Sequence, residues 1–246
     1  MKTFTHVVLV SLCMLFTSVS FANDPYPWRF EGICQEFKDR PLDIIQALIP
    51  KNPVIFEAGG HYGVDTAKFS NKWPNAHIIS FEPNPNAFEK LFALSIERDN
   101  IFPYPLAVAN FNGPGIFYIC YGTYGNDPQF EGASSLLPAS EGMKIHYQGP
   151  EVMVDCVILE DWCKANGVSK IDFMWLDLEG MELQVLESSP EILRSVSVIY
   201  TETNFQKFRI GMTQYAALKS FLESSGFHLL SHWYQENLQG NAIFVR

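Results

Sequence analysis

The chain has 246 residues, 47% apolar and 18% charged, which is the composition of one globular domain, with no repeat and no low-complexity tract. Its formal charge is −10; without the first 22 residues, which carry Lys2 and no acid, 16 basic side chains face 27 acidic ones, a charge of −11. Such a field repels phosphate backbones and anionic lipid surfaces, so nucleic acid and membrane surfaces are excluded as main partners.

The chain opens with MKTFTH, the apolar run VVLVSLCMLF, and Ser20-Phe21-Ala22, with small residues at the −3 and −1 positions of a cleavage site. Residues 1–22 are therefore expected to be a secretory signal peptide, with Asn23 starting an exported mature chain. The apolar run is short for a spanning helix; an uncleaved anchor is the alternative, and both place the domain on the exported side. Once cleaved, the chain has no segment for stable membrane insertion. Cys34, Cys120, Cys156 and Cys163 remain, without C-x-x-C spacing, so they are expected to be buried or bridged, in any of three pairings.

From Trp28 to Ile49 apolar residues recur at helical spacing, giving an N-terminal helical segment over 23–53 ahead of the main domain, 54–246. Val54 then opens a strand. Asp65–Lys72 is expected as a helix, His77–Phe81 as a strand, and Asn84–Glu97 as a helix with Phe88, Leu91, Phe92 and Leu94 inward. Phe102–Val108 is expected as another strand. This alternation predicts a doubly wound, mostly parallel α/β sheet. Gly113–Gly149, rich in Gly, Pro and aromatics, reads as a strand and a long irregular loop. Strands at Val152–Ile158, Ile171–Leu176 and Val196–Thr201 follow, with helices at Leu159–Asn166, Met181–Glu187 and Thr213–Ser224. Phe227–Ser231 and Ala242–Val245 close the chain, expected as an antiparallel hairpin at the sheet edge.

Ligands of such sheets bind beyond the carboxyl ends of the strands. The first strand ends in Glu57-Ala58-Gly59-Gly60-His61-Tyr62-Gly63, which fits two spacings. Ala58, Gly60 and Gly63 nearly match the dinucleotide pattern G-x-G-x-x-G. Glu57, Gly59 and Gly63 match E-x-G-x-x-x-G, a loop that holds S-adenosylmethionine. The second strand ends in Phe81-Glu82-Pro83, where an acid grips a ribose diol under either reading. The strand Phe173–Leu176 runs into Asp177-Leu178-Glu179-Gly180-Met181-Glu182, three acids around a glycine.

Taken in order, these motifs resemble the FkbM family of S-adenosylmethionine-dependent methyltransferases. Ser134-Ser135-Leu136 and Leu186 also match that family, and the likeness spans roughly Val54 to Asn204. Trp175 stands where the family usually carries Lys, and the signal peptide is a second departure from its usual form. The resemblance implies a Rossmann-like class I fold with an antiparallel last strand. It implies S-adenosyl-L-methionine as cofactor, held by Glu57, Gly59, Gly60, His61, Gly63 and Glu82, with Asn110 beside the adenine. It also implies Asp177 and Glu179 as catalytic acids, acting as base or orienting the acceptor, a hydroxyl on a small molecule or glycan.

Glu182 is equally expected as a mere helix cap. Asp177, Glu179 and Glu202 could converge on a metal, yet no histidine joins them at a ligand spacing, so none is expected. Acceptor choice is assigned to the loops Tyr121–Gly149 and Phe205–Met212. The rivals are an exported, non-catalytic Rossmann-like binding protein and an NAD-dependent oxidoreductase, which needs room for a second nucleotide half and lacks a second glycine loop.

Overall fold

A computed structural model of the chain describes residues 30–31, 40–122, 128–234 and 238–246. The expected signal peptide, Cys34 and residues 23–29 and 32–39 of the expected N-terminal helical segment lie outside the described residues. Among the described residues of that segment, Phe30–Glu31 is a two-residue strand (β1) and Pro41–Gln46 is helical (α1).

Eight strands form the main sheet in the order β1-β10-β11-β9-β8-β2-β3-β4. The parallel core comprises β2 (Val54–Ala58), β3 (His77–Phe81), β4 (Ile101–Tyr104), β8 (Phe173–Leu176) and β9 (Val198–Asn204). Residues along each strand alternate between two hydrophobic layers, because strand side chains point to opposite faces. Phe56, Ile79, Met174, Leu176 and Ile199 face the helices α4 (Leu159–Ala165), α5 (Glu182–Glu187), α6 (Pro190–Leu193) and α7 (Tyr215–Ser224). Ile55, Ile78, Phe173, Trp175 and Tyr200 face α1 and α2 (Val64–Lys72). Burial on both faces explains why the central strands read as continuous apolar runs.

The hairpin of β10 (His228–Tyr234) and β11 (Gln239–Val245) forms as expected, but β11 is not at the edge. It inserts antiparallel between β9 and β10, giving the reversed strand expected of the fold. The stretch expected as one strand over Phe102–Val108 divides. Pro103 is accommodated in the edge strand β4, and after Pro105 the chain leaves for a second sheet. That sheet joins β5 (Ala107–Ala109), β7 (Glu151–Ile158) and β6 (Gly113–Tyr118) in the order β5-β7-β6, so Val152–Ile158 lies outside the parallel sheet.

Helix α3 (Pro85–Ile96) starts with Pro85 behind Asn84, whose side chain caps Asn86 N–H at 3.1 Å. Its buried stripe is Ala87 and Leu91, with Leu94 partly covered. Phe92 is 51% exposed, contrary to expectation, with its ring 6.1 Å from that of Phe88. Four large residues are more than one helix face can bury, so the aromatic pair falls on its flank.

The chain folds outward from β2 to β3 and β4 and returns to place β8 on the other side of β2. This switch point opens the crevice that positions the site. There Gly59, at φ 92°, packs so tightly that a Cβ would stand 2.1 Å from the Asp177 carbonyl oxygen. Gly59→Ala combines a left-handed backbone with that clash and is expected to cost ~3 kcal/mol, read as a lowered urea midpoint with an unchanged slope.

Candidate active site

Strand β2 delivers the glycine loop, and its geometry follows from contacts within the protein. The N–H groups of Gly59 and Gly60 both donate to the Phe81 carbonyl at 3.0 Å, binding the loop to the end of β3. A Cβ on Gly60 would meet Ser80 Oγ at 2.3 Å, and Gly63, at φ 78°, opens α2. The glycines are thus required by packing against β3 and β8, and the first two N–H groups point inward rather than to a ligand.

Glu57 is completely buried beneath this loop. Thr66 Oγ1 donates to its Oε2 at 2.6 Å and Ser80 Oγ bonds the same oxygen, while Oε1 has no partner. Burial pushes the carboxyl up to about 7, against the lowering effect of those hydroxyls. Glu82 is 5% exposed and lines the cleft. Its Oε2 accepts from His61 N–H and its Oε1 from Asn84 N–H, both at 2.7 Å, which fixes both oxygens at the end of β3. Burial raises it to about 7 despite these two bonds. The His61 ring stacks on Tyr62 at 3.8 Å, its Nε2 is buried without a partner, and burial lowers its pKa.

Beyond β8 the chain turns sharply, with Glu179 at φ 51° and Gly180 at φ 107°. Glu182 Oε1 accepts from Leu178 N–H at 3.0 Å and Gly180 N–H at 3.3 Å, so this acid braces the turn ahead of α5 rather than capping the helix. Asp177 is open to the cleft; burial by the surrounding walls and the nearby Asp65 carboxylate raise it to about 6. Glu179, raised by burial and by Asp177 to about 8, lies close by. Asp177, Glu179 and the buried Glu202 of β9 each bring a carboxylate oxygen within 4.8 Å of the others.

The cleft joins these parts. Gly59, Gly60, His61, Glu82 and Asp177 line it together, and Leu106, Val108, Phe117 and Leu136 supply apolar walls. Glu57 lies behind the loop, and Gly63 at the start of α2. Asn110 is a correction: just past the end of β5 it is exposed and borders a separate groove with Phe111, Ile116 and Gly211. The residues of that stretch that do reach the cleft are Ala107 and Val108.

Two site residues escaped the sequence reading. Glu131, 4% exposed, lines the cleft and accepts from Tyr62 Oη at 3.0 Å and Asn84 Nδ2 at 3.2 Å. Arg209, 1% exposed, donates through Nη1 to Leu137 O at 2.9 Å and through Nη2 to Ala133 O. Its guanidinium lies 4.3 Å from the Tyr147 ring, and its Nε lies 3.9 Å from Glu179 Oε2. Neither residue belongs to a spaced motif; only long-range contacts bring them in. Trp175 does not reach the cleft: it stacks on Tyr200 at 3.6 Å in the core. Tyr215 and Lys219 have Tyr-x-x-x-Lys spacing, but Tyr215 is buried on α7 against Phe205 and does not line the cleft. Cys120, Cys156 and Cys163 are buried and unbridged.

The cleft suits S-adenosylmethionine: acids for its ammonium and ribose groups, apolar walls for a flat base, and a buried unpartnered oxygen on Glu57. Comparison with known proteins agrees. The model of the "Methyltransferase FkbM domain" matches residues 57–229. The 2-O-methyltransferase NoeI of Sinorhizobium fredii is 27% identical over 204 residues, 81% of this chain and 82% of that protein. The hexuronic acid methyltransferase AglP of Haloferax volcanii is 24% identical over 179 residues, covering 71% and 65%. The crystal structure of methyltransferase FkbM from Methylobacillus flagellatus KT aligns with a TM-score of 0.50 at 10% identity, over 80% of this chain and 44% of that one, a likeness of fold.

Glu57 and Glu82, both raised to about 7, retain protons in the folded state that the unfolded chain releases near 4.5. Where the native state binds more protons, stability falls as pH rises. The ligand-free protein is therefore expected to lose stability from about pH 5 to pH 7, and Glu57→Gln to flatten part of that decline, in urea midpoints taken across the range.

Proposed function

The chain belongs to the FkbM methyltransferase family, with S-adenosylmethionine as its cofactor, and from that premise we propose that it methylates a hydroxyl on a small molecule or glycan. The observation that carries this reading is the meeting of Glu82 and Asp177 in one cleft, with Glu179 and Glu202 beside Asp177. The cofactor supplies an electrophilic methyl group on a sulfonium centre. Glu82, both oxygens anchored by backbone N–H groups, presents its remaining lone pairs to the ribose diol. Glu57 favours the ammonium electrostatically from beneath the loop, and Leu106 and Val108 flank the adenine.

Asp177 and Glu179 serve the acceptor. Displacement at a methyl group demands collinear alignment, so the protein's main task is to orient the attacking hydroxyl and ease the loss of its proton. A carboxyl held above its ordinary range is suited to that task, and Asp177 and Glu179 are both raised. Two of the curated relatives are named as a 2-O-methyltransferase and a hexuronic acid methyltransferase, which supports an oxygen of a sugar as acceptor. The signal-peptide reading of residues 1–22 adds that the reaction takes place on the exported side; N-terminal sequencing of the mature protein, with Asn23 expected first, tests it.

Calorimetry tests the central claim. S-adenosylmethionine and its demethylated product are expected to bind, and Glu82→Ala to weaken binding at least about 100-fold, the loss of two charge-assisted hydrogen bonds. Failure of both ligands to bind the folded protein sinks the reading. Transfer of a labelled methyl group to hydroxylated glycans, abolished by Asp177→Asn, identifies the acceptor class.

A further inference from the structure

We propose that Asp177, Glu179 and Glu202, together with the Asn204 amide oxygen, form a site for one hard divalent cation, Mg2+, Mn2+ or Ca2+, that holds the acceptor oxygen. The proposal rests on the methyl-transfer reading and makes the orienting role of the acids specific.

The cluster follows from sheet register. Strands β8 and β9 pair in parallel with Trp175 opposite Tyr200 and Leu176 opposite Thr201. The next residues along the two strands are Asp177 and Glu202, which thus stand beside each other where the sheet opens to the crevice. The left-handed turn at Glu179 and Gly180 then brings Glu179 back to the same spot. The result is three carboxylate oxygens within 4.8 Å of one another. A cation with oxygen ligands at about 2.1–2.4 Å spans such a set, since ligands on opposite sides of it stand roughly 4–5 Å apart.

Charge points the same way. Among the described residues Arg209 is the cation paired with this cluster, with its Nε 3.9 Å from Glu179 and both Nη atoms committed to the carbonyls of Ala133 and Leu137. When ionised, the three carboxylates exceed the one guanidinium by two negative charges, which one divalent ion balances.

Asn204 provides the independent observation. It lies two residues beyond Glu202 on the same face of β9, is 2% exposed, and its amide meets Glu202, with Nδ2 3.4 Å from Oε2. Its Oδ1 has no hydrogen-bond partner. A buried carbonyl oxygen left unpaired costs about 1–3 kcal/mol; turning the amide over exchanges its two atoms, puts the oxygen where Nδ2 stands 3.4 Å from Glu202 Oε2, and lets a cation among the carboxylates satisfy it. Three carboxylates and one amide oxygen, with no imidazole or thiolate, select a hard ion rather than zinc. Such an ion polarises a bound hydroxyl and orients it as a Lewis acid.

The test uses the whole protein, dialysed against EDTA and then titrated with Mn2+, Mg2+ and Ca2+ by calorimetry and thermal shift, without cofactor. One equivalent is expected to bind, with melting raised by about 5 °C at millimolar ion. Glu202→Gln and Asp177→Asn are expected to weaken binding at least about tenfold and Asn204→Ala to weaken it measurably, while Glu141→Gln, on an exposed acid, leaves it unchanged. Circular dichroism establishes that each variant is folded. No binding by the wild type at 5 mM ion, or equal binding by Glu202→Gln, overturns the site. Methyl transfer that survives EDTA in protein that binds no ion sinks the cation alone. An ion that binds one-to-one to protein unable to bind S-adenosylmethionine supports the site and sinks the methyl-transfer reading.

Discussion

Everything at the crevice depends on how closely the first loop lies against the end of β8. Gly59 touches the Asp177 carbonyl with no room for a side chain, Asp177 N–H donates to Ala58 O at 3.0 Å, and the Phe81 carbonyl takes both Gly59 and Gly60 N–H groups. Three neighbouring strands are thereby tied together at their carboxyl ends. The glycine loop after β2 and the turn that carries Asp177 and Glu179 are parts of one backbone hydrogen-bond network. Their relative position, on which alignment for methyl transfer depends, is set before any ligand arrives.

The second constraint is electrostatic. Glu57, Glu82, Asp177, Glu179, Glu182 and Glu202 are drawn into one end of the sheet, and burial pushes each above the usual carboxylate range. The fold supports some of them with donors: hydroxyls at Glu57, backbone N–H groups at Glu82 and Glu182, and the Arg209 guanidinium near Glu179. What remains is a field suited to cationic and hydrogen-donating ligands. Such concentrations of strained charge are characteristic of functional sites, where stability is given up for chemistry.

Much of this was legible in the sequence, for definite reasons. Strands β2, β3 and β8 are buried on both faces, so their apolar runs announce them, and the motifs that follow are contiguous. Glu57, Gly59, Glu82, Asp177 and Glu179 could all be placed because each lies within a few residues of a strand end. Asn110 was misplaced because periodicity identifies a strand without naming its partner, and after Pro105 the partner changes sheets. Arg209 and Glu131 gave no signal, since their roles arise from contacts between segments distant in sequence. Trp175 shows the opposite case: it stands at a motif position but faces the core, where its ring lies flat against Tyr200.

Arg209 has an implication for how the loops around the cleft can change. Besides its own bonds to Ala133 and Leu137, the neighbouring backbone is stitched across the gap, Ser140 N–H to Phe208 O and Ile210 N–H to Pro138 O, both at 2.9 Å. The segments 133–140 and 208–210 therefore form a single clasp, although one lies between β6 and β7 of the second sheet and the other follows β9. A change in either half is transmitted to the other through a buried side chain. Exchange of these loops, in evolution or by grafting, must accordingly treat the two segments as a matched pair. A donor loop brought in without its counterpart loses its place on the guanidinium and the register that presents it to the carboxylates.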